Sequence, residues 1–158
     1  MSRINKIGVI GAGNMGSGIA QKIAQEGIPV VMVDREDRFV RKGLENIETL
    51  LQEAVARRIL TPEQVKATRS RITGATELGA VADADLVIEA VFEDKGVKAE
   101  LFEKLDAICS APTILATNTS SFYVHEFADR TRRPDRFIGL HYFYHPLPTI
   151  ALKIRHPN

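Results

Sequence analysis

Residues 5–16 read Asn-Lys-Ile-Gly-Val-Ile-Gly-Ala-Gly-Asn-Met-Gly, and an acid, Asp34, closes the next apolar run. Gly11, Gly13 and Gly16 stand in G-x-G-x-x-G register between a strand-like run and a helix-like one. Each glycine has a physical job: a tight turn, room for a pyrophosphate to approach the backbone, and close packing of helix on strand. The helix N-terminus then offers free N–H groups to phosphates. Asp34 follows Gly11 by 23 residues, the spacing at which a carboxylate accepts from a ribose hydroxyl. The glycines alone are a weak signal. Strand, glycines, helix, strand and acid in this order imply a nicotinamide dinucleotide, held by Gly11, Ala12, Gly13, Asn14, Met15, Gly16 and Asp34. A carboxylate at Asp34 repels a 2′-phosphate, which favours NAD over NADP. Arg35 either lies over the adenine, faces solvent, or softens that preference with its guanidinium.

Apolar runs alternate with helical periodicity through the rest of the chain. Strands are expected at Lys6–Ile10, Pro29–Asp34, Ser70–Thr73, Asp85–Ala90, Thr113–Thr117 and Arg136–His141. Helices are expected at Asn14–Glu26, Glu36–Ile59 and Lys95–Ser110, with a short one over 123–129 and a helical turn near Glu77–Ala82. Gly27 sits where a helix C-cap belongs. Thr61-Pro62-Glu63 reads as N-cap, proline and first-turn acid of a further short helix. Such alternation implies an α/β fold of Rossmann type, a doubly wound, mainly parallel sheet with helices on both faces. Toward the end, prolines at 146, 148 and 157 surround an apolar patch, Thr149–Ile154.

With 158 residues the chain suits one domain, residues 1–158. A net charge of +1 gives no bulk attraction to nucleic acid or to an anionic membrane, and no run is long enough to span one. Cys109 is the only cysteine, so no internal disulfide and no multi-cysteine metal site can form, and no metal is expected. The first residues run straight into a strand without room for a signal peptide, and the cytoplasm is the expected compartment.

Ligands of open α/β sheets bind outside the carboxyl ends of the strands. There stand the glycine turn, Asp34, Ala90–Glu93, Asn118–Ser121 and His141–His145. An imidazole at His141 can take a hydroxyl proton as hydride leaves the same carbon, or it is a strand-end histidine bonded to backbone. Asn118, Thr119, Ser120 and Ser121 can bind a ribose, a carboxamide or a substrate oxygen, or can cap the next helix. Glu89 falls within its strand and Glu93 beyond it. Lys98 can pair with Glu93, either in the cleft or as an exposed ion pair worth ~0–1 kcal/mol. His145 lies near His141, whereas His125 and His156 read as surface residues. Arg57 and Arg58 suit either a coenzyme A phosphate or a solvated helix end.

These segments resemble the amino-terminal, NAD-binding part of the L-3-hydroxyacyl-CoA dehydrogenases, which include 3-hydroxybutyryl-CoA dehydrogenases. The resemblance runs from about Ile4 to Pro146. It rests on the turn through Gly16, on Val31-Met-Val-Asp34, on Leu86-Val-Ile-Glu-Ala-Val-Phe-Glu93, on Thr117-Asn-Thr-Ser-Ser121 and on Gly139-Leu-His141. It implies oxidation of the 3-hydroxyl of an acyl-CoA to a ketone with hydride transfer to NAD, in fatty acid metabolism (β-oxidation). It makes His141 the general base, Ser120 a serine touching substrate and nicotinamide, and Glu93 and Lys98 cofactor contacts; Asn118 joins the cofactor residues. After the histidine the family has two aromatics, Asn and Pro. Here Tyr142-Phe143-Tyr144-His145-Pro146 has one residue more and His145 in the asparagine's place. The family's glutamate a dozen residues past the histidine has no counterpart, since residues 149–155 contain no acid. The family's helical carboxy-terminal domain, which covers the cleft and makes the dimer, is expected to be absent from this chain. A homodimer or a separate helical partner is the expected companion. The chain alone is therefore expected to bind NADH without appreciable turnover. The competing reading is a non-catalytic NAD-binding module that regulates or senses. A hydroxyacid dehydrogenase of another subclass fits the Asn-Thr-Ser-Ser and Gly-Leu-His segments less well.

Overall fold

The computed structural model describes residues 4–143 and the strand 151–155. Seven strands form one sheet: β1 (Ile7–Ile10), β2 (Val30–Val33), β3 (Ile72–Ala75), β4 (Leu86–Glu89), β5 (Ile114–Thr117), β6 (Phe137–Phe143) and β7 (Ala151–Arg155). Their spatial order is β3-β2-β1-β4-β5-β6-β7. The first six run parallel and β7 pairs antiparallel with β6. The chain winds outward from β1 to β3, then returns to the other side of β1 at β4. That reversal opens a crevice between the carboxyl ends of β1 and β4, where such sheets bind ligands.

The helices are α1 (Asn14–Gln25), α2 (Asp37–Ala56), α3 (Pro62–Arg69), α4 (Lys95–Ile108) and the single turn α5 (His125–Ala128). Helices cover both faces, which is why the central strands carry near-continuous apolar runs rather than alternating ones, broken by Glu89 at the end of β4 and Thr117 at the end of β5. On one face Ile19, Ile23, Ile47 and Leu51 of α1 and α2 pack on Val9, Val30 and Ile88. On the other, Phe102 and Leu105 of α4 and Phe127 of α5 pack on Val87, Leu115 and Phe137. The ring of Phe102 meets that of Phe137 edge-on, centroids 4.6 Å apart, a geometry that adds to the apolar burial.

Local chemistry sets the boundaries. Gly27 takes φ +90° after α1, and Ile28 N–H bonds back to Ile23 O at 3.3 Å. Arg58 makes the same left-handed turn after α2 at φ +58°, with Ile59 N–H on Ala54 O at 2.8 Å. That closure ends α2 at Ala56, short of the expected Ile59. Thr61 and Gln64 form a reciprocal capping box at the start of α3.

Three expectations need correction. The third strand spans Ile72–Ala75 rather than Ser70–Thr73, because Ser70 N–H closes on Lys66 O and Arg71 N–H on Thr68 O, which consumes both residues in the end of α3. The sixth strand continues to Phe143 instead of stopping at His141. The apolar patch near the end contains a strand, β7, whose pairing with β6 supplies the reason for that extension.

Candidate active site at the carboxyl edge of the sheet

The glycine turn is dictated by backbone packing. Gly11 takes φ +106°, and a Cβ there would lie 2.4 Å from Ala90 O, so β1 and β4 approach too closely for any side chain. A Cβ on Gly16 would lie 1.8 Å from Gly11 O, which ties the start of α1 to the end of β1. Gly13 differs: its conformation is ordinary, at φ −69°, and a Cβ would meet nothing within 4 Å. It is the N-cap of α1, no side chain caps it, and the first turn carries no acid. The open side of Gly13 together with these N–H groups suits an anionic group.

Asp34 follows β2 and is anchored at both oxygens. Oδ2 accepts from Ala12 N–H and Oδ1 from Arg35 N–H, each at 2.8 Å. The carboxylate is thereby bound into the glycine turn and keeps further lone pairs for a hydroxyl donor. The Arg35 guanidinium lies outward, 5.3 Å from the centre of the Phe39 ring.

A charged network joins the ends of β4 and β5. Glu89 and Lys98 are 0% and 1% exposed, and Lys98 Nζ lies 2.6 Å from Glu89 Oε1 and 2.9 Å from Glu93 Oε2. Glu89 Oε1 also accepts from Val91 N–H at 2.8 Å, and Oε2 from Thr117 Oγ1 at 2.7 Å. Thr119 Oγ1 donates to Glu93 Oε1 and accepts from Phe122 N–H at 3.1 Å. Burial pushes the Glu93 carboxyl up, but the hydrogen bonds from Thr119 and Lys98, with the Lys98 charge, outweigh it and hold it below the ordinary range. The exposed ion pair considered for Lys98 is therefore excluded. Lys98 is a buried ammonium shared by two carboxylates.

Of the segment after β5, no side chain caps α5; Thr119 Oγ1 instead accepts from Ser121 and Phe122 N–H within the turn, and Ser120 is left exposed, its Oγ 3.3 Å from Ser121 Oγ. Asn118 is half-buried, and its Oδ1 accepts from Tyr142 N–H at 2.7 Å, which joins the end of β5 to β6. His141 is half-buried on β6, its ring 4.3 Å from that of Phe143. His125 is exposed and stacks on Tyr123. His145 and His156 lie outside the described residues. Because β1 to β6 are parallel, Gly13, Asp34, Glu93 and Ser120 follow the carboxyl ends of their strands at the same edge of the sheet at which His141 lies, two residues before the end of β6. Among the described residues, no group of three His, Cys, Asp or Glu could hold a metal ion.

Thr117 is a part of this site that residue patterns did not single out. One signal was present: a glutamate inside a four-residue buried strand needs partners, and the parallel register sets Thr117 beside Glu89.

Residues 6–152 match the family model described as 3-hydroxyacyl-CoA dehydrogenase, NAD binding domain. A 3-hydroxybutyryl-CoA dehydrogenase of Mycobacterium tuberculosis is 38% identical over 150 residues, covering 94% of this chain and 52% of that protein. The mitochondrial hydroxyacyl-coenzyme A dehydrogenase of Sus scrofa is 39% identical over 155 residues, covering 94% and 49%. The crystal structure of the (S)-3-hydroxybutyryl-CoA dehydrogenase of Ralstonia eutropha superposes with a TM-score of 0.87 at 38% identity, covering 89% of this chain and 50% of that one. The chain thus spans about half the length of these relatives.

Proposed function

We propose, from the premise that this chain belongs to the 3-hydroxyacyl-CoA dehydrogenase family as its NAD-binding domain, that it serves oxidation of the 3-hydroxyl of an acyl-CoA. The observation that carries this reading is the gathering of the glycine turn, Asp34, Ser120 and His141 at one edge of a parallel sheet. The residues fit NAD. Gly13 leaves its approach side open, so the N–H groups of α1 would hold a pyrophosphate, and Asp34, already fixed by Ala12 N–H, would accept from the adenosine ribose. Glu93, with Lys98 behind it, and Asn118 line the nicotinamide side. Bound NAD supplies the hydride acceptor. His141 removes the hydroxyl proton as the C–H bond gives up its electron pair. Ser120, exposed in the segment after the neighbouring strand β5, donates a hydrogen bond to the same oxygen. The Glu89–Lys98–Glu93 network holds the segment after β4 in place and does no proton transfer.

Relatives named for 3-hydroxybutyryl-CoA, 3-hydroxyadipyl-CoA and hydroxyacyl-coenzyme A support an acyl-CoA thioester as the substrate class. The second wall of the cleft is a helical unit, from the same protein, a partner chain or a second copy. Exposed aromatics leave the ends of three adjacent strands at this edge: Phe92 at 83%, Tyr123 at 72% and Phe143 at 45%. Such a unit would cover them. No helix among the described residues is long and apolar enough to cross a membrane, and the single reduced cysteine, Cys109, suits the cytoplasm we assign.

The test is reduction of acetoacetyl-CoA followed by NADH absorbance, with and without a helical partner chain, beside calorimetry of NADH. NADH binding with turnover only when the partner is present supports the reading. Robust turnover by this chain alone overturns the need for a second wall, and absence of NADH binding overturns the whole assignment. One observation favours a second reading, a non-catalytic NAD-binding module: the register sets Lys153, not an acid, opposite His141. NADH binding without turnover under every condition would establish that alternative.

A further inference from the structure

The residues that follow β2 read Asp34-Arg-Glu-Asp-Arg38 and carry the chain into α2. Glu36 is the N-cap of α2, a position whose side chain commonly accepts from the free N–H groups of its helix. It makes no such bond. Its carboxylate turns to the two arginines instead. Arg38 grips both oxygens, with Nε 2.8 Å from Oε2 and Nη2 3.1 Å from Oε1, a two-pronged pair. Arg35 Nε lies 3.5 Å from Oε1. Both guanidinia also rest against Phe39, 4.7 Å from the ring centre for Arg38 and 5.3 Å for Arg35, within cation–π range. The neighbouring acid, Asp37, is occupied by Arg41 at 2.5 Å. Arg35 and Arg38 are exposed, so these ion pairs add little to stability and both heads stand within reach of a ligand.

We propose that Glu36 is a further residue that sets cofactor choice: it holds the guanidinia of Arg35 and Arg38 away from the 2′-phosphate that distinguishes NADP from NAD. This rests on the dinucleotide reading above, in which Asp34 takes the adenosine ribose. The 2′-phosphate is carried on that same ribose, and an arginine close to the ribose-binding acid is the group that accommodates it. This chain has two such arginines within four residues of Asp34. Asp34 alone opposes the phosphate by charge, and two free guanidinia would offset that repulsion. Glu36 removes the offset twice over. It occupies the donors a phosphate would use, and it adds a second negative charge beside the first. Phe39 then keeps the clamped guanidinia stacked in place.

The probes are NADH and NADPH, each titrated into the full chain by calorimetry. Wild type is expected to bind NADH more tightly than NADPH. Glu36→Ser keeps a favoured N-cap residue and frees both arginines. It should tighten NADPH binding by about five-fold and leave NADH within about two-fold of wild type. Adding Arg35→Gln and Arg38→Gln to Glu36→Ser should abolish the gain. Asp37→Asn removes the same charge from the next residue, whose carboxylate is held by Arg41 instead, and should leave the ratio of the two affinities at its wild-type value. Unchanged NADPH binding in Glu36→Ser overturns the proposal. So does a gain that survives loss of both arginines, or an equal gain in Asp37→Asn. The NADH titration of wild type separates the two failures. If neither dinucleotide binds, the cofactor reading itself has failed. If NADH binds and Glu36→Ser leaves the preference unmoved, only the role of Glu36 has.

Discussion

Gly13 and Gly16 look alike in the motif and differ in the structure. Gly16 has no room for a side chain, because its Cβ would fall 1.8 Å from Gly11 O. Gly13 has room and an ordinary φ, so its lack of a side chain serves whatever approaches from outside. Gly13→Ala should therefore leave urea stability within about 1 kcal/mol of wild type while weakening NADH binding at least ten-fold by calorimetry. Gly16→Ala should lower the unfolding midpoint clearly, since backbone must shift. If the two behave alike, the open side of Gly13 is not the cofactor's approach. Lys98 makes a second residue-scale case. Removing it as Lys98→Met strands Glu89 in the core, a loss of about 3–5 kcal/mol. Adding Glu89→Gln should restore a good part of this, because the uncompensated charge goes, the amide oxygen still accepts from Val91 N–H, and the amide NH2 donates to the Thr117 hydroxyl, which can turn to accept. Chemical unfolding of the single and double variants measures both.

Elements depend on such residues for their ends. α4 is fastened at its carboxyl terminus by Arg133, which donates to Asp106 Oδ1 at 2.7 Å and to Asp106 O at 2.9 Å and Cys109 O at 3.2 Å. Burial pushes the Asp106 carboxyl up, but hydrogen bonds from Arg132 and Arg133 outweigh it and hold it below the ordinary carboxylate value. A carboxyl that is more acidic folded than unfolded binds fewer protons in the folded state. It contributes stability above the unfolded value, and that stability is lost as pH falls through the lowered folded value. Asp106 and Glu93 both shift this way, from ordinary values of 3.8 and 4.5. The urea midpoint should thus vary little for these two groups between about pH 7 and 5 and fall below about pH 4, and Asp106→Asn should flatten part of that fall. A midpoint rising as pH drops below 4 would contradict this.

The same scale shows what residue patterns could reveal. Six strands and the long helices were legible, because buried parallel strands and amphipathic helices carry strong periodic signals. β3 was displaced by two residues because Ser70 and Arg71 bond backward into α3, a choice that hydropathy does not record. β7 escaped because Leu152 and Ile154 acquire a strand's meaning only when β6 lies alongside. For the candidate site, the sequence order placed the glycine turn, Asp34 and Ser120 beyond strand ends, as they are, and His141 at a strand end that β6 in fact passes by two residues. The burial of Lys98 between Glu89 and Glu93 was not, since it depends on how α4 lies against β4 and β5.

At the scale of the molecule, winding outward from β1 in both directions separates two tasks along one edge. The glycine turn lies at the crevice between β1 and β4 with Asp34 at the end of β2 bonded to it, whereas Ser120 and His141 stand two and three strands from β1. Among the described contacts none joins His141 to the glycine turn; its ring neighbour is Phe143. Cofactor binding and proton removal should therefore dissociate under mutation. NADH at 100 times its dissociation constant should stabilise the folded chain by about 2.7 kcal/mol, because it binds only the native state. His141→Gln should show that stabilisation in full while abolishing acetoacetyl-CoA reduction in the presence of a helical partner. Gly13→Ala should show the reverse order of damage, losing the NADH-dependent shift in urea midpoint first. Turnover would then fall only as far as added NADH fails to restore occupancy. If His141→Gln instead loses the NADH-dependent shift, the two tasks share a structural element, and assigning them to separate strand ends is wrong.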